Sequence, residues 1–290
     1  MSRIAYVNGR YVPMAEAQVH IEDRGYQFAD GVYEVIAVQG GFMVDAEPHL
    51  VRLNRSLSEL QMVSPMSGAA LSHIINQVIA RNRVRNGIVY LQITRGVARR
   101  DHAFPNDVRP ALVVTARIQK SSDATAEKGI AILTVPENRW DRRDIKSTSL
   151  LPNILAKQAA REAGAYEAWF VEADGMVTEG SSTNAWIVDH AGNLITRNLG
   201  TSILPGITRQ TVQDIAAELQ IKVVERAFSV AEAKAASEAF ITSTTALVMP
   251  IVKIDGDTVG QGVPGPLAMR LRAYYAEHMA RFGEDFAKSP

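Results

Sequence analysis

Residues 119–129, QKSSDATAEKG, are polar and carry no apolar periodicity. A stretch of this kind cannot thread a packed core, so it divides the 290-residue chain into two folding units. The reading places a small α+β domain over 1–118, a linker over 119–128 and a larger domain over 129–290. Each half is long enough to bury its own core. With no cysteine in the chain, those cores have no disulfide support, and thiolate metal sites and cysteine nucleophiles are excluded. The formal net charge is zero, so no overall field favours nucleic acid or an anionic membrane, and a small-molecule role is expected. There is no signal-peptide pattern and no apolar run of membrane-spanning length. The expected location is the cytoplasm.

The patterns along the chain predict its elements. Asn8-Gly9 sits between two alternating runs and reads as a hairpin turn. EDRGYQFADGVYE at 22–34 leads into a strand at 35–38. Pro48 to Leu60 reads as a helix, with His49 and Arg52 three apart and on one side. Leu71, Ile74, Ile75, Val78 and Ile79 form the stripe of a second helix, and strands follow at 88–94 and 111–117. The larger domain starts with a strand at 130–135. Asn153 is expected to cap a helix that stops at Gly164. Strands at 167–172 and 184–188 bracket an Asp174-Gly175 turn and TEGSSTN. Pro205-Gly206 opens a further helix, Ser229 and Glu232 make a capping box, and strands at 238–242 and 247–254 precede a C-terminal amphipathic helix.

Only eight lysines occur, none before Lys120. Lys146 differs from the rest. It follows a polar loop and precedes hydroxyl residues and Leu150-Leu151, where a loop enters a packed interior. A lysine held near apolar surface can lose its proton and attack a carbonyl, although a solvated loop lysine has the same local sequence. Gly206-Ile207-Thr208 at a helix start offers N–H groups and a positive dipole end to an anion. Thr244 adds a hydroxyl and Arg52 a charge, yet an ordinary cap and turn have the same composition. Glu179 lies among small hydroxyl residues that would keep it hydrogen-bonded and ionised, able to pair with a protonated ring nitrogen. Tyr33, Arg100 and His102 together suit a carboxylate, the other reading being a strand tyrosine beside a solvated basic loop. His49 alone is more often a packing residue. No GKS/T loop, GxGxxG, HExxH or GxSxG elbow is present.

Together these stretches resemble the fold type IV pyridoxal-phosphate enzymes, most of all their D-amino-acid aminotransferase branch. The resemblance runs over nearly the whole chain. It is carried by EDRGYQF and DGVYEV, TRG at 94–96, Arg100-x-His102 before Phe104-Pro105, Asp144-Ile145-Lys146-Ser147, Ala156-Lys157-Gln158, TEGSS, Gly206-Ile207-Thr208-Arg209 and Thr242-Ser243-Thr244-Thr245. It implies a small α+β domain and a larger mixed, β-barrel-like domain with helices. It also implies that Lys146 is the Schiff-base lysine, Glu179 the carboxylate at the pyridine nitrogen and Leu204 the residue packed on the ring. Arg52, the amides of Ile207 and Thr208, and Thr244 would form the phosphate cup. Tyr33, Arg100 and His102 would hold the substrate α-carboxylate. In that family the Arg and His reach over from the partner subunit, so a homodimer is implied. The expected reaction is ping-pong transamination between D-amino acids and 2-oxo acids. Branched-chain aminotransferases and (R)-amine transaminases share the lysine and glutamate but not the Arg-x-His pair. A branched-chain L-aminotransferase, an aminodeoxychorismate lyase-like enzyme and a non-catalytic scaffold remain the alternatives.

Overall fold

A computed structural model describes residues 3–284. Contacts gather the chain into two compact units. The first takes residues up to Lys120, the short segment Ile145–Ser149 and the end of the chain from Met279; the second takes Ser121–Asp144 and Leu150–His278. The segment bearing Lys146 thus belongs to the first unit, although it comes after the polar stretch in sequence.

The first unit begins with a hairpin of β1 (Ile4–Val7) and β2 (Arg10–Pro13). Asn8 and Gly9 take positive φ between them, as a tight hairpin turn requires. A five-residue helix α1 (Arg24–Phe28), capped by Asp23, leads into β3 (Gly31–Gln39) and the short β4 (Phe42–Met43). Helices α2 (Ala46–Glu59) and α3 (Gly68–Arg81) follow, then β5 (Gly87–Thr94) and β6 (Ala111–Ile118). The strands form one sheet in the order β2-β1-β6-β5-β3-β4, antiparallel at every pairing. Side chains of period two from the strands meet the helical stripes. Val32, Ile36, Val89, Leu91 and Val114 bury against Leu53, Leu57, Leu71, Ile75 and Val78. Strand β3 extends well beyond the expected 35–38. Its N-terminal half carries Tyr33 and Glu34, whose polarity hid the strand pattern.

The second unit contains α4 (Asp123–Ala126), β7 (Ile130–Pro136), α5 (Leu151–Glu162), β8 (Glu167–Val171), β9 (Val177–Gly180) and β10 (Asn184–Val188). It continues with β11 (Leu194–Thr196), α6 (Ile207–Glu218), β12 (Val223–Glu225), α7 (Val230–Ala235), β13 (Glu238–Ser243), β14 (Leu247–Ile254), β15 (Asp257–Thr258) and α8 (Pro266–Glu284). Among the described residues these strands make a mixed sheet in the order β12-β11-β10-β13-β14-β7-β8-β9, with β15 on β14. The pairs β11–β12, β14–β7 and β7–β8 are parallel and the others antiparallel. Strands β8, β9, β10 and β11 are buried along nearly their whole lengths, which explains the apolar runs of β8 and β10, while β9 buries the polar Thr178 and Glu179.

Two local expectations need correction. Asn153 does not cap α5. The helix already begins at Leu151, its N-cap Leu150 makes no side-chain cap, and Pro152 lies in its first turn. The Asn153 amide instead donates to the Ser181 carbonyl at 2.8 Å. At α7, Ser229 does accept from the Glu232 N–H at 3.1 Å, but the Glu232 carboxylate is taken by Arg226. Only half of the expected box forms, because the glutamate has a stronger, charged partner elsewhere. No helix among the described residues is long and apolar enough to cross a membrane.

Candidate active site

In the first unit, Lys146 sits on a backbone pinned from three sides. Its N–H donates to the Ser56 hydroxyl at 3.2 Å, its carbonyl accepts from the Tyr33 N–H at 3.0 Å, and Ser147 bridges Val32. Ile145 beside it is 5% exposed and packs into the unit's core. The side chain is half-buried, and Nζ lies 4.3 Å from the centre of the Tyr33 ring. Tyr33 in turn stacks on Tyr90, ring centres 5.7 Å apart. An amine on a fixed backbone, over an aromatic face and with no carboxylate partner among the described residues, is a candidate nucleophile and not half of an ion pair.

Behind this amine lies a charged group that sequence reasoning missed. Glu34 is fully buried on β3, on the side that faces α2. Arg52 binds it through two nitrogens, Nε to Oε1 at 2.8 Å and Nη2 to Oε2 at 2.7 Å, and His49 Nδ1 lies 2.8 Å from Oε2. Burial pushes the Glu34 carboxyl up, but the Arg52 charge and hydrogen bonds outweigh it and hold the group at about 2. Burial lowers His49, against the pull of Glu34, so the ring stays neutral at pH 7. His49 is a packing and hydrogen-bonding residue, as its sequence setting suggests. Arg52, expected at a phosphate, is anchored by this carboxylate.

Because Glu34 ionises more easily folded than unfolded, its contribution is complete above its unfolded value, near 4.5. It is lost as pH falls toward 2, and it is worth on the order of 3 kcal/mol. Urea unfolding between pH 7 and pH 3 should show this acid-side loss. In Glu34→Gln the loss shrinks, and stability at pH 7 drops by about 3 kcal/mol because the favourable ionisation of this carboxylate is gone.

The carboxylate-binding candidates lie elsewhere in the first unit. Arg100 and His102 are exposed on the loop after β5. Both lean on Phe28, with the Arg100 guanidinium carbon 4.8 Å from the ring centre and the His102 ring 5.4 Å away. Tyr33 is placed beside Lys146 rather than with them.

In the second unit Glu179 is buried on β9. It accepts from Arg139 Nη1 at 2.6 Å, from Asn184 Nδ2 at 3.0 Å and from the Leu204 N–H at 3.0 Å. The expected hydroxyl neighbours do not bind it: Ser181 and Ser182 donate to Glu167 and Thr178 to Glu137. Burial raises the Glu179 pKa, with Arg139 the chief opposing influence. A carboxylate with raised proton affinity shares a proton well with a basic ring nitrogen. Arg139 also binds Glu137 and lies 4.3 Å from the Phe170 ring centre. Asn184 clamps the same corner by donating to the Leu204 carbonyl at 3.0 Å. Arg139 lies in a polar loop and left no signal in sequence; Asn184 closes the TEGSSTN run and was marked only by that motif.

Glu179 and Asn184 thus fix Leu204, and three residues later α6 begins. Its N-cap is Gly206, with no side-chain cap, which leaves the first N–H groups of a twelve-residue helix directed outward. A side chain at Gly206 would meet Asn184 Oδ1 at 2.0 Å, so glycine is required there by close approach. Thr208 is buried, with its hydroxyl 3.4 Å from the Tyr275 hydroxyl. Thr244 is half-buried just past β13. The second unit therefore brings together Glu179, Leu204, Ile207 and Thr208. These are donors and an acceptor that fit a phosphorylated aromatic heterocycle.

Comparisons with known proteins agree with this chemistry. The family model for amino-transferase class IV matches residues 31–254. The chain is 41% identical over 267 residues to the D-alanine aminotransferase of Bacillus licheniformis, covering 91% of this chain and 93% of that protein. It is 40% identical over 288 residues to that of Listeria monocytogenes serotype 1/2a, covering 97% and 99%. Among solved structures it matches the branched-chain aminotransferase of the thermophilic archaeon Thermoproteus uzoniensis with norvaline, with a TM-score of 0.86 at 27% identity over 99% and 97% of the two chains. A further branched-chain amino acid aminotransferase, solved with pyridoxamine 5′-phosphate, matches with a TM-score of 0.90 at 26% identity over the same shares, 99% and 97%. By sequence along nearly its full length and by fold, the chain belongs to the class IV amino-transferases.

Proposed function

We propose that the protein is a pyridoxal-phosphate-dependent D-amino-acid aminotransferase, a cytoplasmic homodimer that exchanges amino groups between a D-amino acid, such as D-alanine or D-glutamate, and a 2-oxo acid. The observation that carries this reading is the full-length similarity to D-alanine aminotransferases, with Lys146, Glu179 and the Arg100-x-His102 pair in matching order. The solved branched-chain enzymes share the fold at lower identity.

When bound, pyridoxal phosphate supplies an aldehyde that captures the substrate amine and a ring that takes up the electron pair released when the Cα–H bond breaks. The chain's own groups do the rest. Lys146 would hold the cofactor through Nζ, and the same amine, once free, would carry the proton taken from Cα. Glu179, made more basic by burial, would keep a proton on the ring nitrogen. Arg139 and Asn184 hold that carboxylate in register. The Ile207 and Thr208 amides at the start of α6, the Thr244 hydroxyl and Arg52 would hold the phosphate, and Leu204 would pack on the ring. Tyr33, Arg100 and His102 fix the α-carboxylate and so decide which face of Cα meets the amine.

A homodimer is supported by the surface around the carboxylate loop. Ile21 and Tyr26 are each 75% exposed and Phe104 is 53% exposed, beside the exposed Arg100 and His102. Large apolar side chains gathered at charged recognition residues suit burial against a second copy.

Assaying D-alanine and L-leucine separately, each with 2-oxoglutarate, tests the reading. D-alanine should be favoured in kcat/KM by at least roughly 100-fold. The reverse preference would establish the branched-chain activity instead, and pyruvate release from an aminodeoxychorismate-type substrate without an amino acceptor would establish the lyase. Arg100→Ala should raise KM for D-alanine by about 10- to 100-fold, while turnover of a simple amine that lacks a carboxylate changes little. Equal losses for both substrates would remove Arg100 from the carboxylate site.

A further inference from the structure

The loop that carries Arg100 and His102 is exposed from Arg99 to Phe104. Yet three successive carbonyls of this loop are taken by one buried side chain. Arg24, on α1, is 3% exposed. Its Nη1 donates to the Asp101 carbonyl at 2.6 Å and to that of Ala103 at 3.4 Å, and its Nη2 to that of His102 at 3.5 Å. Its Nε is fixed by Asp30 at 2.8 Å. The same carboxylate takes two hydrogen bonds from Arg95, whose guanidinium carbon lies 3.7 Å from the Phe104 ring centre. One carboxylate therefore orients two guanidiniums, which grip the loop at both ends of the segment bearing His102. Burial pushes Asp30 up, and the two arginines more than reverse this, so the anchor stays charged through the neutral range.

The backbone of α1 is placed to serve this grip. Asp23 caps the helix through the Gly25 N–H at 2.8 Å and bridges Val97 at the root of the loop. The Arg24 N–H donates to the Gly96 carbonyl at 2.9 Å. A side chain at residue 25 would meet Thr94 Cγ2 at 2.2 Å, so α1 lies against the loop root only because that residue is glycine. Phe28, one turn on, receives Arg24, Arg100 and His102 around one ring. Arginine alone supplies this set of contacts. A planar fork can satisfy a carboxylate on one edge and carbonyls on the other, whereas a lysine is a point donor.

We propose that Arg24, oriented by Asp30, is a positioning residue that sets the height and direction of Arg100 and His102 and thereby the affinity for the substrate α-carboxylate. This rests on the reading of Arg100 and His102 as the carboxylate site. Arg24 touches neither substrate nor cofactor, so its loss moves KM and leaves the chemical step intact.

The test uses the holoenzyme with D-alanine and 2-oxoglutarate, both of which present an α-carboxylate. Arg24→Gln should raise KM for each by about 10-fold or more with kcat within about threefold. The absorbance of bound cofactor should be retained, and hydrogen–deuterium exchange should speed up at the amides of 99–103. Arg24→Lys should fall between the two, since it restores the charge but not the fork. Phe104→Ala releases the other end of the loop and, in protein that remains dimeric, should shift KM in the same direction by a smaller factor, which keeps the test alive if Arg24→Gln does not fold. Unchanged KM in these variants, while Arg100→Ala raises it, overturns the proposal and leaves the carboxylate site standing. Unchanged KM in Arg100→Ala as well overturns both. A parallel fall in kcat, cofactor content and thermal midpoint, with exchange across 99–103 unaltered, assigns Arg24 to bracing the fold and also overturns the proposal.

Discussion

Lys146→Ala should lower kcat for D-alanine transamination by at least roughly 10⁴-fold, because in the proposed mechanism a single side chain would supply both the covalent anchor and the proton carrier. The fold should survive. The hydrogen bonds that pin residue 146 are made by its backbone, to Ser56 and Tyr33, and alanine keeps both. What is lost is an amine over the Tyr33 ring, an interaction of about 1 kcal/mol, so urea unfolding at pH 7 should move little. The variant should still retain cofactor through non-covalent contacts but lack the yellow band of the wild-type adduct. A small amine added to the solution should recover part of the rate, since it replaces the missing base without restoring the tether. Activity within tenfold of wild type would place the chemistry on another residue.

Glu179→Gln should cut kcat by about 10³-fold, within the range for removing a group that holds a proton at the reacting system. The amide oxygen of the variant can still accept from Asn184 and from the Leu204 N–H, so the corner leading into α6 keeps its shape. What goes is the negative charge, and with it the preference for a protonated ring nitrogen. Arg139 loses one of its two carboxylates and keeps Glu137, so the guanidinium is not stranded and cofactor affinity should fall much less than kcat. Glu179→Asp separates charge from reach. It retains the anion but, one methylene shorter, cannot meet Arg139, Asn184 and Leu204 together. Its activity should lie between that of Glu179→Gln and wild type. Parallel loss of kcat and cofactor binding in Glu179→Gln would make the residue a binding group only.

The legible parts of this chain are those in which local pattern and tertiary role coincide. Asn8-Gly9 announces a hairpin because no other arrangement suits two residues of positive φ between alternating runs. The α3 stripe predicts a helix because Leu71, Ile75, Val78 and Ile79 all bury. Lys146 and Glu179 were marked by their short motifs, and each lies in a setting that suits its expected chemistry.

The residues that escaped notice are buried charges. Glu34, Arg24 and Arg139 look in sequence like any solvated side chain, since nothing local distinguishes a glutamate facing solvent from one facing Arg52 across a sheet–helix interface. Glu34 meets Arg52 18 positions away, and Arg24 and Arg139, beside near partners at Asp30 and Glu137, reach Asp101 and Glu179 77 and 40 positions away, beyond any window that reads periodicity. Helix α1 was invisible for a different reason. Five residues containing a glycine and two aromatics give no stripe, and the helix exists because Asp23 caps it and Thr94 receives it. Asn153 misled because asparagine favours helix starts, while here its amide was needed by the Ser181 carbonyl.

Borohydride reduction of the purified holoenzyme, followed by peptide mapping, tests the central claim most directly. The account predicts one phosphopyridoxyl group per chain, on the peptide containing Ile145-Lys146-Ser147, with bleaching of the yellow colour and loss of activity. Label on another lysine, or a colourless protein that incorporates none, would contradict it.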